Sequence, residues 1–168
     1  VKTLILCSPN PGGSYSARRT TDSYQKMTAP NLSKEEGLDL IFPNTTKGRE
    51  ASEALVKRIK EALGLRLIPN DFNISEETIA RQVKALSLWD EDNQIYDQLS
   101  EIRVPTLVAG GMDDVLDSPE NIRIVAGRIP FAWTAYFAGA GHYFFSQDYE
   151  TFADLVELFT ESNIVDYK

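Results

Sequence analysis

The 168 residues, 42% of them apolar, suffice for one sizeable core and fall short of two comfortable domains, so a single unit is expected. A formal charge of -8 without any Lys/Arg cluster offers no concentrated basic patch to nucleic acid or to an anionic membrane, and neither is expected as a partner. One cysteine excludes an internal disulfide and one histidine excludes zinc sites built on two or more imidazoles, so no metal and no other cofactor is expected.

No apolar run approaches the roughly 20 residues that a spanning helix needs, and the expected location is the cytoplasm. The chain opens at Val1 inside an apolar run and not at a methionine, which leads to the expectation that it is the later portion of a longer protein.

Lys2 to Cys7 (KTLILC) is a short apolar run closed by Pro9, Pro11, Gly12 and Gly13, the profile of a buried strand emptying into a loop. From 14 to 100 the chain is polar and helical in pattern and reads as a helical insertion. Within it, Ser33 and Glu36 have capping-box spacing, Leu38, Ile41 and Phe42 give the following helix an apolar side, and Pro43 stops it. Ala51, Ala54, Leu55, Arg58, Ile59 and Ala62 share a face of a second helix that ends at Gly64. Ser75 caps a third, whose stripe of Ile79, Val83, Leu86 and Trp89 predicts one buried face.

The period changes after Ser100. Val104 to Ala109 reads as a strand ending in Gly110-Gly111, followed by Asp113, Asp114 and Asp117. Ser118-Pro119 starts a helix with Ile122, Val125 and Ile129 facing inward, and Pro130 ends it. Trp133 to Phe137 forms a third strand leading into Ala138-Gly139-Ala140-Gly141-His142, and a last helix carries Tyr149, Phe152, Val156 and Phe159. The section 101–168 is therefore strand, helix, strand, helix, which requires crossovers and a parallel sheet of about three strands flanked by helices, an α/β fold.

Ligands of an open parallel sheet sit beyond the carboxyl ends of its strands. Two such ends carry candidates, the Asp113/Asp114 pair and His142. Neighbouring strands lie about 4.8 Å apart, so an Asp–His hydrogen bond between the two loops is feasible.

At these residues the chain resembles the α/β-hydrolase family, in particular its small bacterial esterase-like and lactonase-like members. The matching text runs from Ile102 to Gly111, through Asp114, Pro119-Glu120-Asn121 and Arg128-Ile129-Pro130, to Gly139-Ala140-Gly141-His142 and Phe152. Arg81 to Trp89-Asp90 and Tyr96-Asp97 resemble the stretch leading into this strand. The resemblance implies a Ser-Asp-His triad in that chain order. Counting back from Pro119-Glu120-Asn121 lands on Asp114; Asp117-Ser118 stand where the family has Val-Pro, which keeps Asp113 as an alternative. It also implies that His142 takes a serine proton and returns it to the leaving group while Asp114 holds the imidazole tautomer.

No Gly-x-Ser-x-Gly elbow is present. Gly12-Gly13-Ser14-Tyr15-Ser16 comes closest and lacks the second glycine, and Cys7 reads as a small core residue. The resemblance then implies that 2–7 is the sixth of the family's eight strands, that 14–100 is a helical cap, and that the nucleophile and the oxyanion hole lie outside this chain. The 2–7 strand should in that case have an open edge, wet or paired in self-association or with a companion chain. The expected activity is hydrolysis of a small-molecule ester, lactone or related acyl bond by the full protein; the alternative is a non-catalytic binding module that retains the fold.

Overall fold

The computed structural model describes residues 1–17, 21–29, 32–69 and 74–163; positions 18–20, 30–31 and 70–73 of the expected helical insertion lie outside the described residues. Three strands, β1 (Leu4–Cys7), β2 (Thr106–Gly111) and β3 (Ala132–Phe137), form a parallel sheet in the order β1-β2-β3. Between β1 and β2 come helices α1 (Thr21–Met27), α2 (Lys34–Ile41), α3 (Thr46–Gly64), α4 (Glu76–Glu91) and α5 (Gln94–Gln98). α6 (Glu120–Arg128) joins β2 to β3, and α7 (Phe144–Gln147) and α8 (Tyr149–Ser162) follow β3. No helix of the described residues is long and apolar enough to cross a membrane.

β2 is the central strand and is buried along its whole length. Side chains of a strand alternate between faces, so Leu107 and Ala109 pack with Phe137, Phe144 and Phe159 on one side, while Val108 packs with Ile122, Val125 and Ile129 on the other. That is why Leu107 to Ala109 are apolar in succession and do not alternate, as in strands covered on both faces. Ile122 and Val125 of α6, and Ile129 just after it, face inward as expected.

β2 continues two residues past Ala109, where the glycine pair suggests an end. Gly110 and Gly111 pair in register with Tyr136 and Phe137. They are in the strand because another segment presses on it: a Cβ on Gly111 would lie 2.1 Å from the Ala140 carbonyl oxygen and 2.3 Å from that of Gly141.

The capping predictions hold at two helices. The Ser33 side chain accepts from Glu36 N while the Glu36 carboxylate accepts from Ser33 N, and the Ser75 side chain accepts from Thr78 N. The burial prediction for α4 does not: Ile79, Val83 and Trp89 are all exposed, and Leu86 is only half-buried. The helix meets the rest of the fold through its last turn, where Trp89 O stands 2.9 Å from where a Cβ on Gly12 would be. An apolar stripe records what a helix is suited to bury and does not by itself supply the covering surface.

β1 lies at the edge of the sheet. Leu4 N and Ser8 N donate to Pro105 O and Ala109 O at 3.0 and 2.8 Å, so by alternation the Ile5 and Cys7 amides point the other way. No strand of the described residues pairs that outer side. Cys7 is exposed there, not buried in a core. Partial desolvation of its sulfur still holds the thiol above the ordinary cysteine value, the opposite of an activated nucleophile.

Two measurements check this packing. Gly111→Ala should lower stability by about 1 to 3 kcal/mol or more through the carbonyl clash. Gly127→Ala, on exposed α6 backbone with nothing within 4 Å of the new Cβ, should be neutral or raise it by about 0.5 to 1 kcal/mol; equal denaturation midpoints for the two would contradict the packing. In hydrogen exchange, the Ile5 and Cys7 amides of the isolated chain should exchange far faster than those of Leu6 and Ser8.

Candidate active site

β2 and β3 end level with one another, Gly111 opposite Phe137, so their following loops start from the same rim. The ladder continues briefly into them: Met112 N donates to Phe137 O at 3.0 Å and Asp113 N to Ala140 O at 2.9 Å. The bond from Asp113 turns its side chain out to solvent and brings the next residue under the histidine loop. His142 Nδ1 and Asp114 Oδ2 are 2.8 Å apart. The structure thus brings 114 and 142 together and leaves 113 apart from them.

The carboxylate is held on its other side as well. Asp114 Oδ1 accepts from Leu116 N and from Asp117 N, both at 2.9 Å, and the side chain is 2% exposed against 25% for the imidazole. A carboxylate only accepts, so opposite one Nδ1 is the nitrogen that donates. Asp117, which departs from the family pattern, has a use here: its carboxylate accepts from Asn10 Nδ2 at 2.8 Å and ties the acid's loop to the segment leaving β1.

The histidine loop rests on the helical segment. Tyr143 N donates to Ile41 O at 3.1 Å, and a Cβ on Gly141 would come within 2.7 Å of the same oxygen. Further along, Lys47 on α3 bonds the Asp148 carboxylate, Arg58 Nη2 donates to Ser146 Oγ at 2.8 Å, and Gln147 Nε2 donates to Gly139 O at 2.7 Å. The backbone at Gly139 has φ 71°, a turn that suits glycine. Helices α2 and α3 therefore buttress the loop that carries the imidazole.

Ser14 is elsewhere. Its amide and hydroxyl both bond Asn93 Oδ1, at 2.8 and 2.9 Å, in an exposed turn. Among the described residues no group of three or more His, Cys, Asp or Glu is gathered where it could hold a metal ion.

Two residues escaped the sequence reading. Asn121 is fully buried and clamps Ala17, its Oδ1 accepting from Ala17 N at 2.7 Å and its Nδ2 donating to Ala17 O at 3.2 Å; its place in Pro119-Glu120-Asn121 was the available signal. Ser8 Oγ donates to the His142 carbonyl at 3.3 Å, a contact across 134 positions for which the only local sign is a Ser-Pro pair at the end of a strand run.

The chain's one histidine makes the pair directly observable. In nitrogen-edited NMR the wild type should show an Nδ1-protonated imidazole. Asp114→Asn should displace that tautomer with little loss of stability. Asp114→Ala should also strand the amides of 116 and 117 at about 1 to 3 kcal/mol each, whereas Asp113→Asn should change neither property.

No protein-family model matches the chain, and no curated protein sequence does. Solved structures do. An alpha/beta hydrolase fold protein from Chitinophaga pinensis superimposes with TM-score 0.77 at 21% identity over 96% of this chain and 57% of its own length. A thermophilic esterase from Thermogutta terrifontis gives TM-score 0.63 and 18% identity over 98% of this chain and 57% of its own. An N-acyl homoserine lactone degrading enzyme gives 0.64 and 20% over 95% and 58%. The chain spans a little under three fifths of the length of each. With a parallel β1-β2-β3 sheet between α6 and α7–α8, the chain has the α/β-hydrolase fold over the carboxyl-terminal part of that architecture.

Proposed function

We propose that this chain supplies the acid and the base of a Ser-His-Asp hydrolase acting on a small-molecule ester, lactone or related acyl bond in the cytoplasm, with the nucleophilic serine on a segment other than these residues. The observation that carries the reading is the 2.8 Å Nδ1–Oδ2 contact at the level carboxyl ends of two adjacent parallel strands. The names of the similar structures, among them an esterase and a lactone-degrading enzyme, support the class of bond.

In the reaction, His142 Nε2 removes the serine hydroxyl proton as the oxygen attacks the acyl carbon. It then delivers that proton to the departing alkoxide. Asp114 keeps Nδ1 protonated and offsets the charge of the imidazolium. Helices α1 to α5 act as the cap over the substrate, and the contacts of α2 and α3 with the 139–148 loop set the height of the imidazole beneath it.

The outer edge of β1 is open to pairing in self-association or with a companion chain. Its two outward amides need partners, and beside it lies an apolar hollow of about 350 Å³ lined by Ile5, Leu6, Trp89, Leu99 and Val125, suited to an amphipathic element of that partner.

A fluorophosphonate probe tests the reading. The complete gene product should be labelled, and His142→Ala should slow labelling by up to about six orders of magnitude. A product that the probe leaves untouched would instead be a binding module with the fold and without the chemistry. The 168-residue chain alone should not turn over p-nitrophenyl esters; turnover abolished by Ser14→Ala would move the nucleophile to that serine.

A further inference from the structure

We infer that Ser8 is a positioning residue for His142, held in an unfavourable backbone conformation so that its hydroxyl can fasten the histidine's own carbonyl. The inference rests on the proposed role of His142 and adds a residue to it.

Ser8 has φ 45°, a left-handed value that L residues other than glycine, asparagine and aspartate seldom adopt. It also precedes Pro9, and the residue before a proline is normally driven to extended backbone. Such a conformation persists only where the surroundings enforce it, and such outliers concentrate at functional sites. The enforcing contacts are visible on both sides. Ser8 N donates to Ala109 O at 2.8 Å, one rung beyond the last pair of the β1–β2 ladder. The Oγ is then turned toward the rim and donates to His142 O at 3.3 Å.

Gly110, beside Ala109, has no Cβ; one placed there would press on Ile122 Cδ1 at 2.7 Å and would only touch Ser8 Oγ, at 3.5 Å. The histidine is fixed at three consecutive positions: Gly141 against the Ile41 carbonyl, His142 O by the Ser8 hydroxyl, and Tyr143 N by Ile41 O. The two neighbours are anchored by the helical segment. The carbonyl of residue 142 is held from the end of β1, by the Ser8 hydroxyl. A small displacement of this carbonyl tilts the ring and lengthens the Nδ1–Asp114 bond, because the acid is immobilised by the 116 and 117 amides and cannot follow.

The imidazole signal tests this in the chain as it stands. Ser8→Ala removes the hydroxyl; Ser8→Gly removes it and also relieves the φ, so it should fold at least as well as the wild type. In both, the Nδ1 proton should exchange with water about 2- to 10-fold faster, the range that one ordinary hydrogen bond represents. Ile122→Val, a core change in the α6 cluster, should lower the melting temperature without altering that exchange, which separates positioning from general loosening. Unchanged exchange in both Ser8 variants, with the wild-type Nδ1 signal present and lost in Asp114→Asn, would overturn the role of Ser8 alone. A wild type without that signal would sink the acid–base pair and Ser8 with it.

Discussion

The Asp114–His142 hydrogen bond depends on β2 and β3 stopping at the same level. Side chains on loops after parallel strands can meet only if the loops leave the sheet from one rim, and the pairing of Gly111 with Phe137 provides that. Gly111 is the constraint beneath it. With any side chain there, the Ala140 and Gly141 carbonyls would have to lift, and the imidazole two residues on would lift with them. A backbone vacancy in the central strand therefore sets the geometry of a polar pair in the loops beyond it.

Around that pair the structure divides its labour between two supports. The Asp114 carboxylate is fixed locally, by amides two and three residues beyond it in its own loop. The His142 segment is fixed from afar, by α2 through Ile41 and by Ser8 at the end of β1. Contacts of the first kind form whenever the loop folds; those of the second kind require the helical segment and the first strand to be in place, so the histidine's position reports on the assembly of the whole chain.

This division also explains how much could be read in advance. Local chemistry was legible: the Ser33–Glu36 box, the Ser75 cap, the apolar run of β2 and the inward α6 stripe each depend on residues within a few positions of one another. Asp114 was singled out by the family spacing to Pro119-Glu120-Asn121 that the resemblance implies, and His142 by its glycine-rich turn; the two side chains do meet. The ends of β2 were misjudged because glycine was read as turn punctuation when its purpose is close approach. The exposure of α4 was misjudged because amphipathicity says which face prefers burial and nothing about whether a neighbour is present. Asn121 and Ser8 were missed because their partners lie 104 and 134 positions away, beyond any local pattern.

The Asn121 clamp on Ala17 has a consequence for how this architecture can vary. Together with the β1–β2 ladder and the Asn10–Asp117 bond, it secures both ends of the stretch between the first and second strands onto the sheet. That stretch is thus a closed loop whose stems are fixed independently of its contents. Closing such a loop costs only about 0.6 kcal/mol more for each doubling of its length. The helices bridging residue 17 to the second strand can accordingly change in length at small closure cost wherever Ile41, Lys47 and Arg58 keep their contacts with the histidine loop. Away from those three contacts, the same frame can in this way accept covers of different shape.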